Sequence, residues 1–164
     1  MIKRLLLIFL AAFCLLAAFY FWARPVLWKP PIPSIGHIQI QTIGLSLDIY
    51  EGVDEEALQN GIGHLKSSAG IGQPGNAVFS GYGLNQNRFF YHLDRVEIGD
   101  EIILKDAEHP RLVYEVMVIK TLPKEEANVI ETNSSENMIT LVTTSKDDSE
   151  MRLVVEAQLT GEGT

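Results

Sequence analysis

The chain has a single cysteine in 164 residues, Cys14, and it lies inside an unbroken apolar run. One thiol excludes an intrachain disulfide, and nothing after residue 30 can use a cysteine-ligated metal. It also leaves everything after residue 30 without a thiol nucleophile. Cys14 reads as an inert residue facing lipid, with lipidation the minor alternative. Basic residues are scarce as well: 13 Lys and Arg stand against 21 Asp and Glu, for a formal charge of −8. The first 34 residues hold Lys3, Arg4, Arg24 and Lys29 and no acid, so the remainder carries −12. That excess argues against nucleic acid and against adhesion to an anionic lipid surface, though solubility alone accounts for much of it. No internal repeat and no low-complexity tract is present. Gly-x-Ser-x-Gly and Ser–Lys nucleophile patterns are absent too.

What is present begins with residues 5–23, LLLIFLAAFCLLAAFYFWA, which carry no charge. As a helix they would cover roughly 28 Å, close to a bilayer's hydrocarbon core. Tyr20, Trp22 and Trp28 gather at one end, where amphipathic rings favour the lipid–water interface. The reading is a transmembrane signal-anchor over 5–23, with residues 1–4 cytoplasmic and the rest of a single-pass protein outside the cell membrane. A cleaved signal peptide is the rival, but Phe21-Trp22-Ala23-Arg24-Pro25 makes a poor small-residue cleavage site. Residues 24–34 hold Pro25, Pro30, Pro31 and Pro33 and read as a stiff proline-rich linker.

Beyond the linker the pattern is mostly strand. His37–Ile43 and Leu45–Tyr50 alternate apolar and polar residues. Asn76–Ser80 follows the turn Gly72-Gln73-Pro74-Gly75, and Glu101–Leu104 follows Gly99-Asp100. Arg111–Leu122 is long and rich in β-branched residues, and Met138–Thr143 and Met151–Leu159 close the set. A short helix is expected over Asp54–Gln59, with Asp54 as its cap and Glu55 and Glu56 in the first turn. Short strands separated by turns predict an all-β fold with short helices, a barrel or sandwich over residues 35–160 with a tail at 161–164.

Four blocks carry a more specific pattern: Ile43–Leu65 (IGLSLDIYEGVDEEALQNGIGHL), Gln73–Gly83 (QPGNAVFSGYG), Phe89–Leu104 (FFYHLDRVEIGDEIIL) and Ile139–Val155 (ITLVTTSKDDSEMRLVV). In order and spacing they resemble the sortases of Gram-positive bacteria, nearest to the class D type with an N-terminal anchor. The resemblance spans nearly all of the chain after the linker. It implies a closed sortase-type β-barrel of about eight strands behind one transmembrane helix. Sortases are membrane-bound cysteine transpeptidases that cut a sorting signal in a surface protein and pass the acyl fragment to a cell-wall or pilin amine.

The family's small-Gly-His block falls on Ser80-Gly81-Tyr82, and its Thr-Leu-x-Thr-Cys block falls on Thr140-Leu141-Val142-Thr143-Thr144. Tyr82 therefore stands at the histidine position and Thr144 at the cysteine position, while the family arginine is kept as Arg152. A tyrosine phenol titrates near pH 10 and is a poor base. A threonine hydroxyl ionises far less readily than a thiol and needs a base within reach. What remains is a groove whose arginine fork can hold a carbonyl or carboxylate.

The resemblance thus implies a catalytically degenerate member that binds a surface-protein or pilin peptide, or an active sortase, as a scaffold. Its binding residues would be Arg152, Tyr82, Thr144, Ser145 and His92. Two alternatives stand beside it: a cysteine-independent transpeptidase or hydrolase using Thr144 or Ser145 with His92, and a structural subunit of an envelope assembly. Each singled-out residue also has a bland reading. Ser145 opens a polar loop (Ser145–Glu150), and the acids of that loop are solvated. His64, in Gly61-Ile62-Gly63-His64, reads as a loop histidine that bonds backbone. Phe89, Phe90 and Tyr91 either wall a groove or fill the core, and His92 sits at the surface. His37 and His109 have no assigned role. No metal, cofactor or nucleic acid is expected.

Overall fold

A computed structural model of the chain describes residues 9–20, 31–84, 89–127 and 135–163. They fall into two units, Met1–Ile32 and Pro33–Thr164. In the first, residues 9–20 are helical. Apolar side chains point to solvent all round this segment, among them Phe9, Leu10, Phe13 and Leu16, and Cys14 is exposed with them. No helix among the described residues is long and apolar enough to cross a membrane. The rest of the 5–23 run, and most of the proline-rich linker, lie outside the described residues.

The second unit is built from eight strands: β1 (Ser34–Ile40), β2 (Leu45–Glu51), β3 (Ile62–His64), β4 (Gly75–Ser80), β5 (Glu101–Lys105), β6 (Arg111–Pro123), β7 (Asn137–Thr144) and β8 (Met151–Gly163). They close into a barrel in the order β1-β2-β3-β4-β7-β8-β6-β5. Closure leaves a barrel without the open sheet edges that invite aggregation. The interior is filled by the apolar half of each alternating strand: Ile38 and Ile40 from β1, Ile49 from β2, Phe79 from β4, Ile139 and Leu141 from β7, all at 0% exposure. Burying a side chain of this kind contributes about 1.5–3 kcal/mol. The alternation that places them inside puts Ser46 and Asp48 of β2 outside.

Helix α1 (Glu55–Asn60) forms where the sequence predicts it, and Asp54 caps it by accepting the Ala57 N–H at 2.9 Å. A second helical turn, α2 (Lys124–Ala127), follows β6.

Three features differ from the sequence expectation. The first strand starts earlier and stops at Ile40; Gln41–Ile43 turn into a 3-10 helix ended by Gly44 at φ 66°. Left-handed backbone of this kind favours glycine, so the chain breaks there despite its β-branched residues. The glycine-rich stretch around His64, read as a loop, is strand β3, parallel to β2 and antiparallel to β4. Its glycines are there for proximity: a Cβ on Gly63 would collide with the Gly52 carbonyl. Such a strand has no alternating pattern to detect. Residues 161–163, expected as a tail, extend β8 and pair with β6 through Val113↔Gly161 and Arg111↔Gly163.

Candidate functional site

The parallel pair β4–β7 and the antiparallel pair β7–β8 converge at one end of the barrel. β4 and β7 run in register to Ser80↔Val142, and the Gly81 N–H continues the ladder to the Val142 carbonyl at 3.2 Å. Thr143 locks the corner by donating its hydroxyl to the Gly81 carbonyl at 2.8 Å. Tyr82 follows immediately, with its carbonyl bonded by the Phe90 N–H at 2.9 Å and its side chain 38% exposed. On the other side, Thr144 pairs directly with Arg152. Directly opposed residues in an antiparallel pair share a face. The fold thus gathers positions 82, 144 and 152, which are 70 residues apart in sequence, at one mouth.

A cleft of about 180 Å³ opens there, lined in part by Gly83, Phe90, Tyr91, Asp94, Thr121, Thr144, Ser145 and Lys146. Gly83 is required by its neighbour, because a Cβ would strike the Thr143 hydroxyl. Phe90 is both wall and core: it borders the cleft yet is 1% exposed, while Phe89 packs against the core from its rim. Lys146 crosses the cleft. Its ammonium lies 2.7 Å from the Asp94 carboxylate and 3.9 Å over the Tyr91 ring. Sequence reasoning missed this cation, because Asp94 and Lys146 are 52 residues apart and only the closed barrel joins them.

Arg152 has turned to its own loop: Nη1 donates to the Ser149 carbonyl at 2.9 Å and to the Met151 carbonyl at 3.0 Å. Ser145 accepts the Asp147 N–H at 3.3 Å, an ST-turn that orders the loop start. None of the residues lining the cleft is a histidine. His92 stands next to the lining residue Tyr91, edge-on to its ring at 4.9 Å, and its Nδ1 is buried without a hydrogen-bond partner among the described residues. Among the described residues, no group of three or more His, Cys, Asp and Glu side chains is placed to hold a metal ion.

His64 sits apart from this mouth, on β3. It is 5% exposed and packs on Phe79, with ring centroids 5.4 Å apart. Its Nδ1 lies 3.2 Å from Glu51 Oε1, and Ser68 Oγ lies 3.2 Å from Nε2, so the three imitate a Ser–His–Glu relay. The hydrogen bonds rule it out. Nε2 donates to the Ala69 carbonyl at 2.8 Å, and Ser68 gives its proton to the Leu65 carbonyl at 2.6 Å while accepting the Val78 N–H at 3.0 Å. With no lone pair free on Nε2, this ring cannot take the serine proton. It bonds backbone, as the sequence suggested.

The structure thus defines an eight-stranded closed β-barrel with a small cleft where its fourth, seventh and eighth strands meet. A model of the family described as "Sortase domain" matches residues 38–160, and the chain belongs to the sortase family. Sortase D of Bacillus subtilis is 28% identical over 108 residues, covering 66% of this chain and 52% of that protein. Sortase A of Streptococcus agalactiae is 27% identical over 138 residues, covering 80% and 56%. The chain thus spans about half the length of the curated relatives it matches. Among solved structures, the Clostridium perfringens Sortase D5 transpeptidase is 28% identical with a TM-score of 0.72, covering 84% of this chain and 86% of that one. Sortase A from Corynebacterium diphtheriae is 32% identical with a TM-score of 0.73, covering 82% and 64%.

Proposed function

We propose that this chain is a membrane-anchored, extracytoplasmic sortase-family protein that binds a peptide of a surface protein or pilin, or an active sortase, without carrying out transpeptidation. One observation supports the reading: the cleft lined by Thr144 has no histidine and no cysteine in its lining, and the motif resemblance puts Tyr82 and Thr144 where the family has its histidine and cysteine. Covalent acyl transfer needs a nucleophile and a base in contact. Thr144 is β-branched, so its hydroxyl has few rotamers for reaching a carbonyl. The polar cleft still offers donors and acceptors to an extended peptide, from Thr144, Ser145 and Lys146. Arg152, Tyr82 and His92 complete the binding set as flanking residues, Arg152 once its hold on the Ser149 and Met151 carbonyls is exchanged for a ligand. Anchoring would come from the 5–23 run, with the N-terminus inside.

The test uses the full chain in detergent micelles against a panel of sorting-signal peptides, with binding and amine transfer measured together. Binding without turnover is the expected result. Turnover that disappears in Thr144→Ala would defeat the proposal. Tyr82→His combined with Thr144→Cys is expected to restore peptide acylation in part, because the surrounding strands are intact.

A further inference from the structure

We propose that Ser46, His37 and Asp48 form a nucleophilic serine site on the outer face of β1 and β2 that accepts an acyl group from an ester. His37 Nδ1 lies 2.9 Å from Asp48 Oδ1, and His37 Nε2 lies 2.9 Å from Ser46 Oγ. Both legs fall within the reach that proton transfer requires, with the base oriented by a third group. The register places the three residues together. β1 and β2 are antiparallel with His37↔Asp48 and Gln39↔Ser46 as partners, so the three side chains share one face of a two-strand ladder rather than a loop.

Protonation follows from the partners. A carboxylate only accepts, so in the neutral ring Nδ1 carries the proton and gives it to Asp48. That leaves the Nε2 lone pair facing the Ser46 hydroxyl, which donates. His64 fails this condition because a backbone carbonyl claims its Nε2. His109 is directed at Asp106 through Nδ1, at 3.0 Å, and no serine faces it within hydrogen-bond distance among the described residues. The site is also open: the His37 side chain keeps 36% of its surface and Asp48 keeps 55%. Ser46 is exposed, so an ester reaches it from solvent.

In the reaction, Ser46 Oγ bonds to the ester carbonyl carbon while its proton passes to His37 Nε2. The tetrahedral intermediate expels the alkoxide or phenolate, which leaves with the C–O electron pair and takes the proton from Nε2. The acyl group stays on Ser46. Water then attacks the new ester with Nε2 again taking the proton, releasing carboxylate and restoring the serine. Asp48 acts as a positioning residue that fixes the tautomer. The site is separate from the cleft at Thr144, since β3 and β4 intervene between β2 and β7 in the barrel order.

The experiment treats the full chain in micelles with p-nitrophenyl acetate at neutral pH. It follows nitrophenolate release and maps acetylated residues by mass spectrometry. Acetylation concentrated at Ser46 is expected, with Ser46→Ala abolishing it and His37→Gln lowering its rate about 100-fold, the scale of a general base. Asp48→Asn should slow it and Asp48→Glu should restore part of the rate, which loss of structure alone would not produce. Circular dichroism on each variant separates chemistry from folding. Equal labelling of Ser46 in the wild type and His37→Gln, or labelling no greater at Ser46 than at the exposed Ser67, would overturn the proposal.

Discussion

His64 and His37 are built from the same parts and arrive at opposite uses. Each projects from a strand, has a carboxylate against Nδ1 and has a serine near Nε2. The interior ring also meets the Ala69 carbonyl, which takes its Nε2 proton and freezes it as a brace between β3 and the following turn. Among the described residues the exterior ring meets a hydroxyl and no carbonyl on that side, so its lone pair remains available. The difference teaches that a histidine's role is set by the last acceptor it touches, more than by the residue types around it. Burial sharpens the contrast: at 5% exposure, losing the bonds of His64 costs free energy, whereas water replaces those of His37.

The largest expected effect tests the interior side of the comparison. His64→Ala should destabilise the fold by about 2–4 kcal/mol, from lost packing on Phe79 and an orphaned buried carbonyl. Denaturant unfolding measures it. A change below about 0.5 kcal/mol would mean that the brace is not a brace.

Next comes the interior as a whole under alkali. Burial pushes the Tyr114 phenol up to about 12 from its ordinary 10.0, with Glu162 and Asp106 adding to the shift against the opposing Gly72 hydrogen bond. The folded state favours the neutral phenol, so its contribution is full below pH 10 and is lost as pH rises through about 12. An ultraviolet titration should show one tyrosine ionising late and together with unfolding. The Asp106 carboxyl gives a smaller acid-side effect. Burial would raise it, but the His109 N–H and ring and the Glu108 N–H outweigh burial and hold it below 3.8. Its stabilisation is therefore present above that value and fades as pH falls beneath it.

A smaller effect is expected at the cleft, where Lys146→Ala removes a half-exposed ion pair and a cation–π contact. A loss of about 0.5–1 kcal/mol should appear in thermal unfolding, diminished by salt. The smallest belongs to the exterior site. His37→Ala should change stability by less than about 0.5 kcal/mol while slowing acylation at Ser46 as much as His37→Gln does. A large stability loss there would erase the comparison.

Much of the barrel was legible in the chain. Strands β2, β4, β6 and β7 announced themselves by alternation or β-branched density, and Asp54 announced α1 by its capping chemistry. Strand β3 did not, because Gly61 and Gly63 serve close approach of backbones and leave no side-chain period. Positions 82, 144 and 152, singled out by motif spacing, do come together at one mouth, because register in β4, β7 and β8 brings them there. Lys146 over Tyr91, and the turn of Arg152 toward its own loop, could not be read.

By itself the sequence determined the alternation that fills the barrel, the absence of any thiol beyond Cys14, and the hydroxyl-bearing side chains at positions 82 and 144. These are local properties, set by which residue occupies which position. Tertiary structure alone decided which atoms face each imidazole, because hydrogen-bond partners are chosen by strand register and closure across stretches of chain that no local pattern connects. The carbonyl that silences His64 and the hydroxyl that leaves His37 available are both consequences of that closure.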